Sequence, residues 1–245
     1  MNPPDSVLTH ARSSWLDRLG AFLEVLLLSG VLSSFLASLT LSLQGSGRET
    51  LLRDARVIAG FVMLEAVITL ILLVLVLRLH QERFLDLGWR WDRWSSDVIF
   101  ALALVPFLFL VNILVAIGCK LFLPAYFAER NPLIEAIKSP RDLLLFIVSS
   151  LVAGGIKEEL QRAFILNRFR DHLGGATLGL ILWSVAFGAG HYLQGLQGAL
   201  AAGLFGLLFG LLYLVRGSLV APMVAHGVYD TVALLVYWFN RGTIR

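Results

Sequence analysis

The sequence predicts an all-α protein: a polytopic transmembrane bundle of about seven spanning helices enclosing an intramembrane polar cavity. Three observations predict it. Hydrophobic residues make up 58% of the 245-residue chain and charged residues only 15%, against roughly 25% charged in soluble proteins. Seven apolar runs are each long enough to cross about 30 Å of hydrocarbon as a helix. Ionisable residues nonetheless recur inside those runs, where each is costly unless paired or wetted. So little charge cannot cover a water-soluble particle this rich in Leu, Val and Phe. A soluble globule, a disordered chain and a disulfide-stapled domain are excluded. With one cysteine, Cys119 within an apolar run, no internal disulfide or CxxC metal pair can form. The net charge of +3 forms no basic stripe, which argues against nucleic acid.

Eighteen mostly polar residues precede the first run, 19–43, which is too long for the core of a signal peptide and reads as an uncleaved membrane segment. The runs 57–79 and 98–123 follow, each expected to be helical because irregular backbone is not tolerated in lipid. Between them, 81–97 mixes acids, Arg and Trp and reads as an interfacial loop or short surface helix. Runs 142–165, 175–193, 197–215 and 219–238 complete the set. Trp15, Trp89, Trp91, Trp94 and Trp238 sit at run ends, where amphipathic rings suit the membrane interface. The loops carry nine Arg/Lys on the side of the N-terminus, Arg12 included, and eight on the other, Arg48, Arg130 and Arg245 included. That near balance leans the N-terminus inward by a single residue. The chain divides into N-terminal membrane helices, 1–141, and a helical core, 142–238, within one integrated membrane domain.

The intramembrane ionisable residues are unevenly placed. The first two runs hold Glu24 and Glu65, which receive no role here. The last four hold Glu158, Glu159, Arg162, His191, His226 and Asp230. Glu158 and Arg162 are four apart and can pair on one helix face, with Glu159 on its flank. Two carboxylates against one Arg leave an acid not fully neutralised, which suits a general base; the plainer reading is a charge cluster where the helix leaves the membrane. His191 lies in FGAGHYLQG, where Gly188 and Gly190 allow a neighbour to approach. His226 and Asp230, four apart in VAHGVYD, share a face, so the carboxylate can orient the imidazole or raise its basicity, or simply join a packing hydrogen bond. At about 1.5 Å per residue, Glu158, His191, His226 and Asp230 fall within a band of roughly 14 Å inside the bilayer. A shared, water-accessible cavity follows. Ala199, Gly203, Gly206 and Gly210 form a small-residue stripe expected to pack closely against a neighbouring helix. HExxH is absent.

Glu158-Glu159 with Arg162, Phe187 with His191, and His226 with Asp230 resemble, in that order, the EExxxR, FxxxH and HxxxN/D motifs of the CPBP (Abi-domain) family of intramembrane proteases. That family includes the CAAX prenyl endopeptidases and bacteriocin-processing or self-immunity proteins. The resemblance covers about 142–237, and Arg162 follows Glu159 by three positions where the family has four. It implies endoproteolysis of a peptide bond in or near the membrane. Glu158 would activate water with help from His191, His226 and Asp230 would bind the developing oxyanion, and Glu159 with Arg162 would hold Glu158. Phe187 would take part in substrate binding. No cofactor is firmly implied, although Glu158, His191 and His226 also make up a ligand set for Zn²⁺. The implied partners are membrane lipid and a membrane-associated or lipidated protein or peptide. The implied location is multi-pass in the membrane, with a bacterial inner membrane as the expected setting. Two other classes stay open: a non-catalytic membrane scaffold or bacteriocin-immunity factor, and a proton-coupled transporter.

Overall fold

The computed structural model describes residues 14–43, 53–127, 131 and 133–241. Arg12, Arg48, Arg130 and Arg245, which enter the charge balance above, lie outside these residues. All regular structure among the described residues is helical. In chain order the α-helices are α1 (Trp15–Leu28), α2 (Val31–Leu43), α3 (Ala55–Leu79), α4 (Trp94–Phe122), α5 (Pro140–Ser150), α6 (Glu159–His172), α7 (Ala176–Gly190), α8 (Gly195–Arg216) and α9 (Val220–Asn240). A π-helical segment, Leu151–Glu158, joins α5 to α6 without a break.

Five stretches are long and apolar enough to span a membrane: Trp15–Leu43, Ala55–Leu79, Trp94–Phe122, Tyr192–Arg216 and Val220–Asn240. Two of the seven expected runs stand differently. Helix α7 has 15 residues, about 22 Å at 1.5 Å each, and is short of the bilayer core. The α5–π–α6 rod carries more charge than an apolar span: its α5 part exposes Leu144 and Val148 on the outer face, whereas its α6 part is buried in the bundle. Ten consecutive residues of α6, Glu159 through Arg168, are buried. The first run is also not one straight helix. It breaks at Gly30, whose φ of +89° is a left-handed conformation that a residue with a Cβ adopts only under strain.

The burial pattern is that of a chain dissolved in lipid. Large apolar side chains such as Ile99, Ile113, Leu121 and Val185 are exposed on the outer faces. Ser33, Glu65, Thr69, Asp97, Lys157, Glu159, Arg162 and Arg168 are buried. The expected small-residue stripe packs α8 against α7. A Cβ added at Gly206 would meet Ser184 Cα at 3.2 Å, and one at Gly188 would meet the Ala199 carbonyl at 2.7 Å. Cys119 is buried, as expected. Segment 81–93 is a run of turns between α3 and α4.

Two ion-paired clusters tie the rods together. Arg168 of α6 meets both oxygens of Glu82, at 2.8 and 3.1 Å, and Glu24 of α1 at 2.6 Å. His80 lies 2.5 Å from the other Glu24 oxygen. Arg216, at the end of α8, pairs with the buried Asp97 of α4, which also accepts from Ser218 Oγ at 2.6 Å. Glu24 therefore has a structural place that the sequence reading left blank.

Candidate active site

The site forms where the π segment crosses α9. Gly154 and Gly155 present no side chain, so α9 comes close: a Cβ added at Gly155 would stand 3.5 Å from Gly227 Cα. His226 and Asp230 flank that crossing. A Cβ added at Gly154 would meet Asp230 Oδ2 at 2.9 Å and His226 Nε2 at 3.1 Å. The glycine pair thus clears the space in which the α9 polar groups meet the carboxylates of the rod.

His226 is buried, its ring stacked on Phe209 at 4.7 Å between centroids. Its Nδ1 lies 2.8 Å from Glu159 Oε1. An ionised carboxylate only accepts, so Nδ1 carries the proton and donates. That leaves Nε2 to face Glu158 Oε2 at 3.9 Å and Asp230 Oδ2 at 3.7 Å. Both separations are longer than a direct hydrogen bond. The sequence reading had Asp230 as the group able to orient this imidazole. In the structure Glu159 holds Nδ1, and Asp230 stands on the opposite side of the ring, 3.7 Å from Nε2.

Arg162 is wholly buried and pairs with Glu159, not with Glu158 as the i, i+4 spacing suggested. The reason is local. Glu159 and Arg162 both lie on α6, whereas Glu158 ends the π segment, whose wider turns break the regular α spacing. The Arg162 guanidinium also lies over the rings of Phe187 at 5.1 Å and Phe209 at 5.5 Å. The ion pair with Glu159 and the two ring faces hold it. Phe187 is buried between Arg162 and His191, whose ring centroid is 4.4 Å away.

His191 sits just past the end of α7, half-buried, with Nδ1 2.7 Å from the Phe187 carbonyl. A carbonyl only accepts, so Nδ1 again carries the proton and the neutral ring keeps its lone pair on Nε2. His191 is near enough to interact electrostatically with Glu158 and Asp230. Glu158, Glu159, Arg162, His191, His226 and Asp230 therefore share one neighbourhood, built from three separate helical stretches.

Two further residues join this neighbourhood, Lys157, which the sequence analysis does not name, and Glu65, to which it assigns no role. Lys157 lies 3.7 Å from Glu158 Oε1 and 2.8 Å from Glu65 Oε2 of α3. The signal for Lys157 was present in AGGIKEE, an ammonium next to two acids in an apolar setting. Nothing in the sequence brought Glu65, 92 positions earlier, to it.

Zinc, were it present, would draw on Glu158, His191 and His226. Among the described residues no three His, Cys, Asp or Glu side chains are grouped to hold a metal ion. Glu158, His191 and His226, as placed here, do not form a metal-ligand set.

Residues 139–232 match a family model described as type II CAAX prenyl endopeptidase, Rce1-like. The matched segment contains Lys157, Glu158, Glu159, Arg162, His191, His226 and Asp230, while Glu65 and the helices α1 to α4 lie outside it. The family is one of proteases, which supports protease activity at the level of the class and agrees with the resemblance carried by the three motifs. No curated protein and no solved structure matches the chain.

Proposed function

We propose that this multi-pass membrane protein, whose residues 139–232 match the Rce1-like type II CAAX endopeptidases, is an intramembrane endopeptidase of that type. It hydrolyses a peptide bond in or near the membrane with water activated by Glu158. The observation that carries this reading is the triangle of Glu158 Oε2, His226 Nε2 and Asp230 Oδ2 over the bare backbone of Gly154, with legs of 3.9 and 3.7 Å from the imidazole nitrogen. A water seated there is within reach of a carboxylate base and of a group that can polarise the carbonyl it attacks.

The roles follow from donor chemistry. Glu158 takes the proton of the attacking water, and His191 Nε2, left with its lone pair, supports that transfer. His226, when doubly protonated, donates from Nε2 to the oxyanion while Glu159 balances the charge at Nδ1. Asp230 is a second donor to the oxyanion in its protonated form, since a carboxylate has no hydrogen to give. Arg162 holds Glu159, and Phe187 is the ring on which both Arg162 and His191 rest and the wall of the site toward the substrate. Every step uses groups of this chain. The substrate is a membrane-associated or lipidated protein or peptide, and the bacterial inner membrane is the proposed setting.

The test is cleavage of a panel of quenched fluorescent peptides, farnesylated CAAX sequences included, by purified protein in detergent. Glu158→Gln and His226→Ala are expected to lower kcat/KM by about 10²–10⁴-fold, as removal of a general base or an oxyanion donor does. A zinc chelator is expected to leave the wild type unchanged. Undiminished cleavage by Glu158→Gln would remove the glutamate mechanism, and chelator loss reversed by zinc would replace it with a metal. If both variants keep full biological function in cells, the scaffold reading takes its place.

A further inference from the structure

Lys157 and Glu65 are both buried, and nothing in the reaction described above uses them. Their side chains are 7% and 9% exposed, and the ammonium lies 2.8 Å from Glu65 Oε2. Glu65 is itself held. Its Oε1 accepts from Ser33 Oγ at 2.8 Å, and Thr69 Oγ1 lies 3.0 Å from the same oxygen and 2.8 Å from Ser33 Oγ. Ser33 belongs to α2, and the α1–α2 break at Gly30 adjoins this spot: a Cβ added there would stand 3.6 Å from Glu65 Oε1. A second tie lies close by, where Gln161 of α6 donates to the Leu28 carbonyl. Both ties run from helices outside the matched segment to residues within four positions of Glu158.

The two distances from Lys157 differ in kind. The 2.8 Å contact to Glu65 is a charge-assisted hydrogen bond, and the 3.7 Å contact to Glu158 is not. An ammonium on a flexible stem would otherwise close on the nearer free carboxylate. We infer that Glu65 tethers Lys157, and that tethered Lys157 is a positioning residue. It holds Glu158 in place by its charge without hydrogen-bonding it, leaving the Glu158 oxygens open to water. Helices α2 and α3 are then part of the active site. Ser33 and Thr69 occupy the other Glu65 oxygen, so the tether points one way.

This rests on Glu158 as the base, so one arm of its test needs no substrate. Infrared difference spectra of purified wild type and each variant against the same protein carrying Glu158→Gln isolate the Glu158 carboxylate band. Lys157→Met and Glu65→Gln are expected to move that band in opposite senses, the first by removing the charge and the second by letting the ammonium close on Glu158. In thermal unfolding, Lys157→Met leaves Glu65 buried without its cation, and the double variant Glu65→Gln/Lys157→Met is expected to recover much of the loss. With a farnesylated CAAX peptide, both single variants and the double are expected to lose about tenfold or more in kcat with KM held. If the double variant regains kcat together with stability, the pair is merely structural and the inference is overturned. If neither single variant moves the Glu158 band, it is overturned whatever the peptides do. A moved band with no peptide cleaved by wild type would leave the tether standing and count against the protease reading instead.

Discussion

His226 uses its two ring nitrogens for different work, and the division decides what its neighbours can do. Nδ1 donates to Glu159, so the tautomer of the neutral ring is set and only Nε2 can face a substrate. Asp230, 3.7 Å from Nε2, is on the working side of the ring and is not the group that orients it. If Asp230 acts as a donor, an amide serves as well as a protonated acid, because Asn keeps a hydrogen-bond donor at the same reach. Asp230→Asn is therefore expected to hold kcat within about tenfold of wild type, and Asp230→Ala to lose about 10²–10³-fold, the usual result of removing an oxyanion donor. Equal loss in both variants, measured on one cleaved peptide, would show that the carboxylate itself is needed. The residue types of the site were legible: Glu158, Glu159, Arg162, His191, His226 and Asp230 stand out because charge is rare in these runs. Their pairing was legible only in part. Spacing along a regular helix favoured Arg162 with Glu158, whereas Arg162 pairs with Glu159; Asp230 does lie beside His226, at 3.7 Å, but Glu159 is the carboxylate hydrogen-bonded to the ring.

At the scale of elements, the π segment Leu151–Glu158 makes the site. It brings a side-chain-free patch of backbone against α9, with Lys157 turned to Glu65 while Glu158 and Glu159 both face His226. Such wide turns are common at functional sites and carry no hydropathy signature, so a continuous apolar run predicted a plain helix here. Gly154→Ala tests the patch. Alanine is the better helix former by about 1 kcal/mol, but its methyl would meet Asp230 Oδ2 at 2.9 Å and Nε2 of the fixed His226 ring at 3.1 Å. Cleavage is therefore expected to fall even at temperatures where the variant stays folded, because the new methyl occupies the space between Asp230 and His226. A variant that unfolds at lower temperature but cleaves normally when folded would show that the glycine serves packing alone. The long apolar helices needed no such subtlety. Length and composition predicted α3, α4, α8 and α9 within a few residues at each end. The break at Gly30 lay inside an unbroken apolar stretch and was invisible to the same ruler.

At the scale of the molecule, the bundle turns a soluble protein's logic outward. Leu, Ile, Val and Phe face the lipid, and the interior concentrates ion pairs around one charged helix, α6. Arg168 with Glu24 and Glu82, Arg216 with Asp97, and Lys157 with Glu65 fasten that interior to α1, to the turns after α3, to α4 and to α3. Pairs so distant in sequence were legible only as isolated charges in apolar runs, since periodicity says nothing about which helices become neighbours. The same framework sets the surroundings of the candidate site: Glu158 lies beside the Lys157 ammonium, and the His226 imidazole is held at Nδ1 by Glu159. In the proposed mechanism Glu158 activates water and does not itself attack the peptide. Single-turnover cleavage in ¹⁸O-labelled water tests this most directly, with both the peptide product and the Glu158-containing fragment of the protein analysed by mass spectrometry. The account predicts one ¹⁸O in the new carboxylate of the product and none in Glu158. Label in the Glu158 side chain, with an unlabelled product, would mean a covalent acyl-enzyme and would contradict it.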